Sequence, residues 1–102
     1  MATRPDRPNL LFIFTDEQRA DTMAAYGNDH IRTPNLNLLS KQSFVFEHAY
    51  ASQPVSTSSR STILTGTYPH TNGCTSNNLT LHRDAKTIAE MVSNDYRRGY
   101  YG

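Results

Sequence analysis

The segment 9–15 limits the fold of this chain more than any other. Leu10, Leu11, Phe12, Ile13 and Phe14 follow one another without a polar break and are bounded by Pro8 and Asp16. A half-exposed strand alternates apolar with polar residues, whereas a strand covered on both faces of a parallel sheet reads as a continuous apolar run. The run is too short to span a bilayer. It calls for helices above and below it and for paired strands at its edges. The rest of the chain has little apolar material for that purpose: hydrophobic residues are 36% of the 102 and Trp is absent, with a mean hydropathy of −0.64. That is lean for a self-sufficient α/β core, although the length suffices for one small domain.

The punctuation along the chain predicts an alternating order. Residues 18–25 should form a short helix, stopped by the turn cluster Tyr26-Gly27-Asn28-Asp29. Thr33 before Pro34 predicts an N-cap with proline at the first helical position, and a helix to about Gln42. The β-branched and aromatic segment 44–50 reads as a second strand. Residues 59–64 should be a helix with Ser59 as N-cap and Gly66 as C-cap glycine. Residues 68–81 read as a long irregular surface loop. Thr87-Ile88-Ala89-Glu90 matches a capping box opening a helix to about Ser93, and 97–102 reads as a further strand. The expected architecture is α/β: part of a mostly parallel sheet flanked by helices, incomplete, with 1–8 as an N-terminal tail and 9–102 as the folded portion.

Charge and cysteine count narrow the function. A net charge of +1 gives no field for nucleic acid or membrane. Cys74 is the one cysteine, so an internal disulfide and a Cys-x-x-Cys motif are excluded. Met1 to Pro8 lacks the apolar core of a secretory signal, which predicts a cytoplasmic protein and sets aside the sequon Asn78-Leu79-Thr80. His30, His48, His70 and His82 have no metal-ligand spacing.

The chemistry concentrates in Ser56-Thr57-Ser58-Ser59-Arg60, followed by Ser61 to Gly66. Hydroxyls and a guanidinium beside the first turn of a helix can handle an oxyanion, although such runs also occur as plain solvated loops. Asp16 and Glu17 are adjacent carboxylates where ligands of parallel sheets collect, and a hard cation between them would relieve their repulsion. The alternative is that Asp16 caps the next helix while Glu17 is solvated.

These segments, with Tyr26-Gly27, Thr33-Pro34-Asn35-Leu36, Leu64-Thr65-Gly66-Thr67-Tyr68-Pro69-His70 and Gly99-Tyr100-Tyr101-Gly102, resemble in order and spacing the N-terminal part of the sulfatase family, from about Arg7 to Gly102. The resemblance implies an alkaline-phosphatase-like α/β fold and metal-assisted hydrolysis of a sulfuric ester. It implies that Ser56 holds the position of the residue oxidised to formylglycine, whose hydrate offers one oxygen to attack sulfur and a second to expel sulfate. It makes Ser56 and Arg60 catalytic, with Arg60 steadying charge. Asp16, with Glu17 and the residue at 56, becomes a ligand of Ca²⁺ or Mg²⁺. The implied partners are a small-molecule or saccharide sulfate ester and a formylglycine-generating maturase.

Two departures accompany the resemblance. Ser58 stands where the family has Pro or Ala, and Ser56 stands where it usually has Cys. Family members also continue past a segment like 99–102 into sulfate-binding Lys and His and later metal ligands, so the isolated chain is expected to have little or no activity. A phosphate or phosphonate ester hydrolase of the same superfamily, and a catalytically silent fragment or interaction module, are the alternatives.

Overall fold

The computed structural model describes residues 6–102. The chain divides into two compact units, one ending at Val45 and one spanning Phe46–Gly102.

In the first unit, two 3-10 turns, Ala20–Thr22 and Ala24–Tyr26, replace the single helix expected over 18–25. Thr22 offers the reason: its hydroxyl donates to the Arg19 carbonyl at 2.6 Å, a local bond that favours a tight turn over helix propagation. The second turn stops at Gly27, whose φ of 94° lies in the left-handed region natural to glycine. Helix α1, Pro34–Ser40, begins with proline at its first position as expected and ends slightly short of Gln42. Thr33 stands at the N-cap position, but its hydroxyl makes no cap bond there. It accepts from the Ala24 N–H at 3.1 Å and donates to Asn37 Oδ1 at 3.1 Å, joining the second turn to α1.

In the second unit, α2 is Ser56–Thr65, α3 is Pro69–Asn72 and α4 is Ile88–Met91. Helix α2 starts three residues earlier than expected: Val55 is its N-cap, and the Ser59 N–H donates to the Val55 carbonyl at 2.8 Å. Ser59 is therefore a helix-interior residue and not the cap. Gly66, at φ 69°, ends the helix as expected. The loop expected over 68–81 contains α3, which begins with Pro69 at its first position. Thr87 is the N-cap of α4, yet its side chain makes no cap bond, and the helix stops at Met91, short of Ser93.

The expected sheet is not formed. Among the described residues there is no strand, including at 9–15, 44–50 and 97–102. A strand exists only through a ladder with a neighbour. Without one, the apolar run lies in the open, with Leu11 84% and Phe12 66% exposed. Phe12 and Phe14 meet edge to face, centroids 5.0 Å apart, which is local contact and not a core. The α/β architecture is thus corrected to short helices and turns within these residues.

Burial gathers instead between α2 and α3, and what it buries is polar. Ser58, Ser61, Thr65, Asn72 and Cys74 are buried, and the largest fully buried side chains are Asn72 and Ser58. Such a core holds only because its polar atoms are paired. Asn72 Nδ2 donates to Ser61 Oγ at 3.0 Å and to Thr65 Oγ1 at 3.3 Å. Ser61 Oγ donates to the Ser58 carbonyl at 2.7 Å, and Thr65 Oγ1 to the Ser61 carbonyl at 2.7 Å. The exception among these residues is Ser58, whose hydroxyl is fully buried with no partner among the described residues.

Candidate active site

The early start of α2 sets the geometry of the site. Ser56 becomes the first residue of a ten-residue helix, exposed at its N-terminus. The first-turn N–H groups of a helix have no carbonyl four residues back, and with the aligned peptide dipoles they make that end positive, equivalent to about half a charge. Arg60 lies four residues on, so it shares a face with Ser56 one turn away. It is half-buried. A guanidinium presents a planar fork of donors to oxygens. Hydroxyl and helix terminus therefore share one end of α2, with Arg60 one turn along the same face. This is an arrangement for an anionic tetrahedral group.

One first-turn donor is already engaged. The Thr57 N–H donates to Asn77 Oδ1 at 3.1 Å, a bond spanning twenty residues. Asn77 was hidden in the segment expected to be a surface loop. Its Asn-Asn surroundings signal a turn, but no local pattern announces a cap on a distant helix. A shallow groove of about 270 Å³ runs beside α2, lined by Tyr50, Ser52, Ser59, Thr62 and Ile63 among others, with Ser52 and Thr62 hydroxyls 3.2 Å apart. His70 stacks on Tyr68, ring centroids 5.7 Å apart and nearly parallel.

Asp16 and Glu17 belong to the first unit, and Ser56 and Arg60 to the second. Both carboxylates are exposed. Glu17 has φ 49°, a left-handed conformation that a non-glycine residue adopts at a cost of roughly 1–2 kcal/mol. The chain thus turns sharply just after Asp16. Among the described residues, no three His, Cys, Asp or Glu side chains group into a metal-holding cluster. Two carboxylates fall short of the roughly six to eight oxygens that Ca²⁺ takes. The described residues do not by themselves fit a complete cation site.

Comparison with known proteins gives the family. The sequence profile of the family described as Sulfatase matches residues 8–102, and this chain belongs to that family. It is 36% identical to an N-acetylglucosamine-6-O-sulfatase of Bacteroides thetaiotaomicron over 84% of this chain and 15% of that protein. It is 34% identical to an ulvan-active sulfatase of Formosa agariphila over 96% of this chain and 19% of the relative. An arylsulfatase of Clostridium perfringens is 40% identical over 59% of this chain and 12% of its own length. The chain therefore spans less than a fifth of each of these relatives. No solved structure matches it. No helix among the described residues is long and apolar enough to cross a membrane.

Proposed function

We propose that this chain is the nucleophile-bearing part of a sulfuric ester hydrolase acting on a sulfated saccharide. The observation that carries the proposal is the exposed Ser56 at the first position of α2 with Arg60 one turn along the same face, in a chain matched to the sulfatase family from residue 8 to 102. The saccharide class is supported by relatives named for N-acetylglucosamine-6-O-sulfate and ulvan. In this reading the positive helix end and the Arg60 fork bind the sulfuryl oxygens, where charge grows as the ester bond breaks. An unmodified serine hydroxyl has a high pKa and no route for releasing a sulfated intermediate. We therefore include oxidation of the Ser56 side chain from CH₂OH to CHO, with loss of two hydrogens to an oxidising maturase. The resulting aldehyde hydrate supplies both the attacking oxygen and the release route. Asp16 is included as a cation ligand, with Glu17 and the residue at 56.

Peptide mass analysis of residue 56 tests the modification: a loss of two hydrogens supports it, and plain serine in an active preparation refutes it. Paired assays of the gene product on aryl sulfate and aryl phosphate esters test the reaction. Sulfate turnover abolished by Ser56→Ala is the expected result. Phosphate turnover alone would assign the chain to phosphoryl chemistry, and turnover of neither would refute an esterase. Calorimetric titration with Ca²⁺, repeated on Asp16→Asn, tests the cation ligand; unchanged affinity would remove Asp16 from the reading.

A further inference from the structure

One residue ties down both ends of the loop that reaches back to Ser56. Asn72 Oδ1 accepts from the Cys74 N–H at 2.9 Å, and the Asn72 carbonyl accepts from the His82 N–H at 2.8 Å. Between these anchors the Cys74 thiol points to the Leu79 carbonyl at 3.6 Å, a weak tie across the loop. The His82 ring lies flush on Gly73: a Cβ built there would sit 2.5 Å from the ring. The other end of the same carboxamide faces α2, with Nδ2 on Ser61 Oγ and Thr65 Oγ1. Asn72 itself is 1% exposed. The loop so anchored delivers Asn77 to the Thr57 N–H.

We propose that Asn72 is a positioning residue for Ser56: by fixing the 73–82 loop against α2, it holds Asn77 as the cap of the helical turn that bears the nucleophile. The helix needs a cap from a distance because its own N-cap is Val55, which has no side-chain acceptor. Thr57 is the residue next to Ser56, so an uncapped Thr57 frays the turn on which Ser56 sits. Ordering a ten-residue loop for one hydrogen bond costs more conformational entropy than the bond returns, so the loop must be held elsewhere. The Asn72 side chain holds its near end, because a carboxamide can donate to the helix and accept from the Cys74 N–H at once, while the Asn72 backbone carbonyl holds the His82 end. The functional meaning rests on Ser56 being the nucleophile, but the capping itself does not.

Amide hydrogen exchange of the 102-residue chain, read residue by residue by NMR, tests this. Asn77→Ala should speed exchange at Thr57 about five- to tenfold relative to Gly66, whose N–H is bonded within α2 to Thr62. Asn72→Leu should produce the same rise at Thr57, and the double variant no further rise, because both changes break one device. Ser61→Ala, which removes one Asn72 partner on α2 and leaves Thr65 and the Cys74 N–H in place, should give a smaller rise, about two- to fivefold, and it decides the matter if Asn72→Leu does not fold. A Thr57 amide indifferent to Asn72→Leu or to Ser61→Ala, or rises that multiply in the double variant, would overturn the proposal. The readout is independent of sulfate turnover, so a coupled Thr57 amide leaves the clamp standing whichever way the ester assays fall.

Discussion

Replacing Ser58 with alanine should stabilise the protein, an unusual sign for a change at a fully buried position. The Ser58 side chain is 0% exposed and its hydroxyl has no partner among the described residues. A buried polar group without a hydrogen bond costs roughly 1–3 kcal/mol relative to a paired or hydrated one. Alanine also has the better helix propensity, by about 0.5 kcal/mol in a helix interior. Against this stands the loss of one small atom's packing, below the ~0.8 kcal/mol of a methylene. The net gain is about 1–2 kcal/mol, or a rise in Tm of roughly 5–15 °C for a chain of this size. Thermal unfolding followed by far-UV circular dichroism measures it, with Ser61→Ala as the internal contrast. Ser61 is also buried, three residues on, but its hydroxyl donates to the Ser58 carbonyl and receives Asn72 Nδ2. Its loss should lower stability by about 0.5–1.5 kcal/mol. Two serines of one helix should therefore shift the melting point in opposite directions. A lower Tm for Ser58→Ala, or shifts of the same sign, would refute the idea that pairing and not burial decides these positions.

Two further outcomes are expected. Gly66→Ala should cost only about 1–2 kcal/mol, since an added methyl at its left-handed φ of 69° meets nothing within 4 Å; Gly73→Ala, at φ 93° and against the His82 ring, should cost more, and His82→Ala should recover part of that excess in denaturant titrations. In a preparation that turns over sulfate esters, Arg60→Ala should lower kcat by about 10²–10³, the loss seen when one donor to a developing oxyanion is removed, and Arg60→Lys should restore only part of it because a point charge replaces a planar fork.

Features fixed by chemistry within a few residues were legible from the sequence. Pro34 starts a helix because its φ is preset, and Gly27 and Gly66 stop their segments because they enter the left-handed region freely. The start of α2 is not legible for the converse reason: Val55 carries no capping side chain, so nothing local marks it, while Ser59 looks like a cap and is not. The apolar run at 10–14 does mark a segment suited to a two-sided core, but suitability forms no ladder, and its exposure shows that the partners for such a core are not supplied by the described residues. In the candidate site, Ser56 and Arg60 were visible as a spacing of four. Asn77 and Asn72 were not, because they act across twenty and eleven residues respectively, through bonds that depend on how the loop folds back.

The polar packing between α2 and α3 bears on how the second unit should respond to temperature. Exposing apolar area on unfolding raises the heat capacity by about 0.45 cal/K/mol/Å², and exposing polar area lowers it by about 0.26. A core whose largest buried members are an asparagine and a serine releases comparatively little apolar surface when it opens. Its stability should therefore vary gently with temperature, with a shallow maximum and little tendency to loosen in the cold. The turn that carries Ser56 is thus suited to keeping its shape over a wide range of working temperatures.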